Sequence, residues 1–205
     1  MALVKLNNRG VRSATAFGSI TGLGSMTFIK KLTASSTATL SFVDGTSDVV
    51  LDNTYKEYLF TFNNIHPATN QTNFVFQGNV AGGSGYNETM TTSTFQAQHS
   101  ESGSSELSYE GGMDQAQGTA FQRIAHEIGN DNDQSSSGFL RIFNPSSTTF
   151  VKHFIAESQS YRYNDYSHRL FTAGYFNTTA AIDEIQFKMS SGNIDAGDIC
   201  LYVIN

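Results

Sequence analysis

The sequence predicts an all-β protein, an antiparallel β-sandwich of jelly-roll type with an extended N-terminal arm. Apolar and polar residues alternate over short stretches, as at Tyr58, Phe60 and Phe62. This period of two places one face of a strand in a core and the other in water. Short runs rich in Phe, Tyr, Val and Thr recur from residue 26 onwards, separated by turn formers such as Asp44-Gly45. Many short strands at such spacing are typical of sandwiches and barrels.

The predicted strands are apolar or alternating runs between polar turns. Their alternation is clearest near the end, where Ile185, Phe187 and Met189 share one face. The full set is Met26–Ala34, Ala38–Val43, Glu57–Asn63, Asn73–Val80, Thr89–His99, Glu106–Tyr109, Phe121–Ile128, Gly138–Phe143, Thr149–Tyr161, His168–Phe176, Ile182–Met189 and Ile199–Ile204.

Two segments are less clear. Phe121–Ile128 carries apolar residues at helical spacing and fits a short helix as well as a strand. Its length is marginal for a helix and strands flank it, so a strand is favoured. The stretch Ser100–Gly118, rich in Ser, Gly and Glu, is expected to be a long and mobile connection.

Length and composition divide the chain into two parts. A chain of 205 residues suits one undivided β-sandwich, which is predicted to span residues 26–205. Residues 1–25 are predicted to form the extended arm, because they lack helical periodicity and are interrupted by Gly10, Gly18, Gly22 and Gly24.

The distribution of charged residues also distinguishes the arm from the predicted sandwich. Five of the 12 basic residues lie within residues 1–31, and none of the 18 acidic residues does. Lys5, Arg9 and Arg12 make the arm a candidate anchor on an acidic surface, such as a neighbouring copy. A solvated tail is the simpler interpretation. Nucleic acid is not expected as a partner, because basic residues do not cluster densely and the acidic remainder would repel phosphate.

The single cysteine and the apolar content bear on the cellular compartment. Cys200 has no second cysteine to pair with, so no intrachain disulfide can form. The start of the chain lacks the long apolar stretch of a secretion signal, and no run has the length of a membrane span. Synthesis in a cytoplasm and no membrane insertion are therefore expected.

No catalytic, cofactor or metal site is predicted. The five histidines form no ligand motif and are expected to be scattered over surfaces and turns. Asn130–Asp133 is rich in oxygen ligands, but a calcium loop of EF-hand type needs Gly and Glu at positions that Ser136 and Ile142 occupy. A solvated turn is favoured over a calcium site. Cys200 lies within a predicted strand and is expected to be inert packing.

The segment from Tyr161 to His168 looks most like a binding site. Aromatic rings beside polar groups can stack on a sugar and bind its hydroxyls, and such side chains are also enriched at protein interfaces. A strand end followed by an aromatic turn is the simplest alternative, ahead of a subunit interface and then a glycan site. The candidate glycan or interface residues are Tyr161, Arg162, Tyr163, Asp165 and Tyr166.

Several stretches together resemble a family of largely uncharacterised structural proteins of marine bacteriophages, including phages of cyanobacteria. The resemblance covers about residues 26–205 and carries no catalytic residues. The start, Ala2–Asn8, is also similar to that of marine phage tail-fibre proteins. The stretches are Met26–Ser35, Phe42–Asp52, Phe62–Thr69, Phe143–His153, Gly174–Asn177, Ile182–Phe187 and Ser190–Ile194. At the end, Asp198–Ile204 departs from the expected pattern but still alternates like a strand.

The resemblance implies a non-enzymatic structural protein of the virion, assembled in host cytoplasm and without a cofactor. A tail-fibre or host-attachment appendage is the first expectation, as a homo-oligomer with a trimer favoured. Its partners would be other virion proteins and a host surface glycan. The alternatives are a head decoration protein that clamps capsid subunits and a free lectin-like module that binds glycans.

Overall fold

The computed structural model describes residues 26–204, which form two antiparallel β-sheets and contain no helix. The all-β, antiparallel prediction is thus confirmed. The predicted arm, with Lys5, Arg9 and Arg12, lies outside the described residues. The strands are β1 Met26–Thr37, β2 Thr39–Val43, β3 Glu57–Pro67, β4 Thr72–Val80, β5 Met90–Ser100, β6 Ser105–Tyr109, β7 Gln122–Ile128, β8 Ser136–Phe143, β9 Lys152–Tyr161, β10 Tyr166–Phe176, β11 Ile182–Met189 and β12 Ile194–Ile204.

The two sheets differ in width. The larger has eight strands in the order β1-β12-β3-β8-β9-β10-β5-β6, and the smaller has four in the order β2-β11-β4-β7. The first and last strands pair directly, with Met26 opposite Ile204. Among residues 26–204 there is no helical segment capable of spanning a bilayer.

The alternation read from the sequence holds in the strands where it is strongest. In β3, Tyr58, Phe60 and Phe62 are fully buried between partly exposed neighbours. In β11, Phe187 is buried while Gln186 and Lys188 are partly exposed. Period-two patterning therefore identifies the core face in both sheets.

The ambiguous segment is strand β7, and irregular pairing explains its helix-like spacing. Its register with β4 shifts between Thr72 and Phe74 and again between Phe74 and Val75. Glu127 takes a positive φ of 45° next to this irregularity. A bulge lets successive residues face the same side, so Ile124 and Ala125 are both buried.

The expectation of a long mobile connection from Ser100 to Gly118 is wrong in part. Ser105–Tyr109 pairs with β5 as the edge strand β6, with Phe95 opposite Tyr109. The chain after β6 is tied back to β5, because Thr92 N–H of β5 donates to the Gln115 carbonyl at 2.9 Å. The strand predicted at Glu106–Tyr109 is therefore present as β6, and backbone pairing orders the stretch that its composition suggested would be mobile.

Phenylalanine side chains form the contact between the two sheets. Phe187 of the smaller sheet lies with its ring centroid 5.5 Å from that of Phe60 in the larger sheet. Within its own sheet it stacks at 5.7 Å on Phe74. Phe76 makes a second bridge, with its ring 5.1 Å from Phe154 of β9. These edge and stacked contacts are favourable beyond the area they bury.

The inner face of the larger sheet changes from apolar to polar beneath β7, the edge strand of the smaller sheet. β7 packs across β9 and β10. The buried side chains beneath it are mostly polar, including Thr94, Ser158, His168 and Thr172. Buried polar groups require hydrogen-bond partners, so this end of the interior depends on a specific network as well as on apolar packing.

We predict that Phe187→Ala lowers the free energy of unfolding by about 3–5 kcal/mol, the usual effect of deleting a buried phenyl ring. The loss follows from the contacts with both sheets, and chemical denaturation measures it. Phe150→Ala is the matched control, since Phe150 is 68% exposed and should change stability by less than about 0.5 kcal/mol. Equal effects of the two variants would contradict the assigned core.

Candidate functional site

The predicted site segment is a tight turn joining β9 to β10. β9 ends at Tyr161 and β10 begins at Tyr166. Arg162 N–H donates to the Tyr166 carbonyl at 3.0 Å, and Asp165 adopts a positive φ of 63°. The turn thus fixes each side chain of the segment relative to the sheet.

Sheet register divides the segment between two faces. Tyr161 lies opposite Ser167 in the β9–β10 pairing, so both side chains point to the outer face of the larger sheet. Tyr166 is adjacent to Ser167 and therefore points to the inner face. The tyrosines of this turn do not form one aromatic cluster.

Tyr161 lines an open groove on the outer face, at the ends of β5, β8, β9 and β10. The groove has a volume of about 480 Å³, within the range of roughly 300–1,000 Å³ for small-molecule sites. Its lining is rich in hydroxyl and amide groups, from His99, Ser100, Glu101, Ser135, Ser137, Gln159, Ser160, Tyr161 and Ser167.

Hydrogen bonds hold the Tyr161 ring in the groove. Its hydroxyl donates to Glu101 Oε1 at 3.2 Å and lies 3.3 Å from Asp165 Oδ1. Desolvation together with these carboxylates raises the pKa of the Tyr161 phenol to about 12. The phenol is thus neutral and a donor at any physiological pH.

The other polar groups of the groove are also pre-positioned. Gln159 Nε2 donates to Ser167 Oγ at 2.9 Å across the β9–β10 pair. Ser137 Oγ accepts from Asn64 N–H at 3.0 Å. These side chains stand on strands, which hold them more firmly than loops do.

Of the other predicted site residues, Asp165 stays beside the Tyr161 hydroxyl, and the remaining three lie away from the groove lining. Arg162 forms an ion pair with Glu127 of β7 and donates to Gln98 Oε1 at 2.6 Å. It also lies 5.7 Å from the centroid of the Tyr166 ring. Tyr163 donates its backbone N–H to the Glu127 carbonyl at 3.2 Å. Arg162 and Tyr163 thus tie the turn to β7 on the inner side.

A buried group of titratable residues lies beneath the same turn. His126 of β7 and His168 of β10 have ring centroids 5.6 Å apart. His168 Nε2 lies 2.6 Å from Gln96 Oε1, whose amide also donates to Glu110 at 2.6 Å. The expectation of scattered surface histidines is therefore wrong for His168, which is fully buried. Packing of β7 in the smaller sheet against β10 in the larger sheet brings the two together across 42 residues of sequence, and spacing gives no signal of it.

Burial sets the ionisation of this group. Desolvation lowers the pKa of His168 to about 4 and that of His126 to about 3. Arg162 adds to the lowering of both pKa values and Arg123 to that of His126, while the charge of Glu127 opposes it. Desolvation opposes the charge of Glu127, but hydrogen bonds from Gln71 and Arg162 outweigh it and lower the pKa of that carboxyl. Both imidazoles are neutral at pH 7, and Arg162 pairs with the carboxylate.

An aromatic and aliphatic surface covers the outer face from β9 to the edge strand β6. Phe95 and Phe171 lie directly opposite each other and stack with centroids 4.5 Å apart. The large apolar side chains around them are exposed, including Leu107 at 75% and Tyr109 at 62%. We name this surface the aromatic face and define it as Phe95, Leu107, Tyr109, Ile155 and Phe171.

Ions of both signs border the aromatic face. Arg169 pairs with Glu157 and lies 5.1 Å from the centroid of the Phe171 ring. Arg141 pairs with Glu57 at 2.9 Å. Contiguous exposed apolar surface with a polar rim is typical of protein–protein contact.

The loop at Asn130–Asp133 is closed by its own hydrogen bonds. Gln134 N–H donates to the Asp131 carbonyl at 2.9 Å, and Asp131 N–H donates to Gln134 Oε1 at 3.1 Å. Among residues 26–204, no three His, Cys, Asp or Glu side chains lie close enough together to hold a metal ion. Cys200 is buried within β12.

Comparison with known proteins found no matching family model, no significantly similar curated protein and no significantly similar solved structure. The groove and the aromatic face are therefore interpreted from their own chemistry.

We predict that stability falls as the pH drops from 7 to 5. The unfolded histidines bind protons near pH 6.5, whereas His126 and His168 stay neutral in the fold until pH 3–4. Each histidine should therefore cost about 2 kcal/mol of unfolding free energy over this range. Urea denaturation at both pH values measures the loss, and His168→Gln should reduce it by about half. A pH-independent stability in this window would contradict the neutral buried pair.

Proposed function

We propose that this chain is a non-enzymatic structural protein of a bacteriophage virion, a tail-fibre or host-attachment appendage component. The aromatic face is the observation that carries the proposal, because an exposed apolar surface of this kind suits a protein that works in contact with other protein subunits. The resemblance of residues 26–205 to structural proteins of marine phages supports the same conclusion. An appendage component assembled in host cytoplasm would need no disulfide, and the lone Cys200 allows none.

We further propose that the fold is a jelly roll. The orders β1-β12-β3-β8 and β2-β11-β4-β7 correspond to two four-stranded sheets in which the first strand pairs with the last and the second with the one before it. The pairs β5–β6 and β9–β10 would then be insertions that widen one sheet. Jelly rolls occur in viral capsid and lectin domains, although a fold by itself does not define a function.

The partner that fits the aromatic face best is another copy of this chain. Its border carries both positive and negative side chains, from the pairs Arg169–Glu157 and Arg141–Glu57. The positive groups of one copy could therefore face the negative groups of the next. In a ring of copies each contact is head-to-tail, so one part of this surface and its border would meet a different part on the neighbour. A trimer is the expected assembly, in keeping with the resemblance to tail-fibre proteins.

We predict that the double variant Phe95→Ser, Phe171→Ser weakens self-association at least tenfold, because it removes the stacked centre of the interface. Sedimentation velocity over a concentration series measures the effect. Phe150→Ser serves as the control, since Phe150 is 68% exposed and outside the aromatic face, and it should associate like the wild type. A wild-type chain that remains monomeric at every concentration would overturn the proposed interface.

We predict tens of copies or fewer of this chain per purified particle, an order-of-magnitude expectation for an appendage built from closed symmetric oligomers. Quantitative mass spectrometry against the major capsid protein measures the number. Hundreds of copies would instead assign the chain to head decoration. Absence from particles would refute the virion role.

The same particles test the arm. Reversing the charges of Lys5, Arg9 and Arg12 to Glu should reduce incorporation severalfold if the arm docks on an acidic surface. Particles that incorporate the triple variant as well as the wild type would remove the arm from the attachment mechanism.

A further inference from the structure

We propose that the groove beside Tyr161 is a binding site for a neutral saccharide. The inference names the ligand class of the attachment function proposed above and rests on that function for its biological purpose. The binding chemistry itself comes from the groove residues and can be measured on the isolated protein.

The position of the groove suits a ligand in contact with solvent. It lies at the ends of β5, β8, β9 and β10 on the outer face, and its 480 Å³ are open to solvent. Because its walls stand on paired strands, little ordering is needed when a ligand binds, and pre-formed sites lose less affinity to that cost.

The polar lining matches the hydroxyl groups of a sugar. Every sugar hydroxyl can both donate and accept a hydrogen bond, so a complementary site needs both kinds of partner. Ser137 and Ser167 supply hydroxyls, Gln159 an amide and Glu101 a carboxylate acceptor. His99 adds an exposed imidazole on the β5 side.

Tyr161 supplies an apolar surface beside these groups. A pyranose ring has one face formed mainly by C–H groups, which packs against an aromatic ring. The bonds from the Tyr161 hydroxyl to Glu101 and Asp165 fix the ring in the groove. One pre-oriented ring among hydrogen-bonding side chains can hold a sugar by both its apolar and its polar sides.

The charge of the groove selects against acidic sugars. Glu101 lies in the lining, and Asp165 stands behind Tyr161 within 3.3 Å of its hydroxyl. Among residues 26–204, no Lys or Arg lines the groove, and Arg162 points to the inner side, where it pairs with Glu127. A carboxylate or sulfate on the ligand would thus meet like charge without a compensating cation from the described residues.

The test begins with the purified full-length chain on an array that carries neutral and anionic oligosaccharides. We expect binding to neutral glycans only. Titration calorimetry with the neutral oligosaccharide bound best on the array should then show at least a tenfold loss of affinity for Tyr161→Ala. Tyr166→Ala is the matched control, from the same turn but the opposite face, and should bind within twofold of the wild type.

A second variant tests the groove in case Tyr161→Ala loses binding only because it misfolds. Ser167 is exposed on the outer face, so Ser167→Trp fills the groove without disturbing the core and should also abolish binding. Thermal unfolding of each variant verifies its fold. No binding of the wild type to any neutral glycan, or full binding by Ser167→Trp, would overturn the proposal.

These outcomes are separate from those for the virion role. A chain found in particles that binds no glycan rejects the groove and leaves the structural function in place. A chain that binds neutral glycans through Tyr161 but is absent from particles rejects the virion role and leaves a free lectin-like module.

Discussion

The contact between the two sheets depends on stacked phenylalanine rings, and the rest of the structure depends on that contact. The chain has no tryptophan and a single cysteine, so neither a tryptophan side chain nor an intrachain disulfide can connect the two sheets. Phe187 and Phe76 take this role, each touching a ring of the opposite sheet. The rings fill the core on the inner face of the larger sheet. Side chains on its outer face do not contribute to that core and can bind other molecules.

The polar and apolar faces of the larger sheet are exchanged near β7, the edge strand of the smaller sheet. Beneath β7 the inner face is filled by a hydrogen-bonded group around His168 and Gln96, while the outer face exposes Phe95 and Phe171. The polar interior holds β7 and the β9–β10 turn in place. The Tyr161 groove lies on the other side of the sheet, at the same β9–β10 turn. Its geometry therefore depends partly on the buried polar network around His168.

Local pattern in the sequence predicted much of the fold but only part of the candidate site. Alternation identified strands such as β3 and β11 and their buried faces, because that signal depends only on neighbouring residues. β6 was predicted as a strand, but the stretch around it was expected to be mobile, and the spacing in β7 fitted a helix as well as a strand, because pairing and bulges depend on partner strands. Tyr161 was a predicted site residue, but Glu101, Gln159 and Ser137 were not, since the fold brings them together from strands β8 and β9 and the turn after β5. Arg162 and Tyr166 were grouped with Tyr161 because sequence proximity conceals the face to which each side chain points.

The pairing of β1 with β12 also constrains how the protein acquires its structure. β12 lies inside the larger sheet, between β1 and β3, and Met26 is opposite Ile204. A ribosome must therefore release nearly the whole described chain before the central hydrogen-bond ladder can close. Until then, β1 and β3 each present an unpaired edge, and contacts of such long sequence separation form slowly. Translation speed and chaperone access during that interval should thus influence the yield of folded protein more than the stability of the finished sheets does.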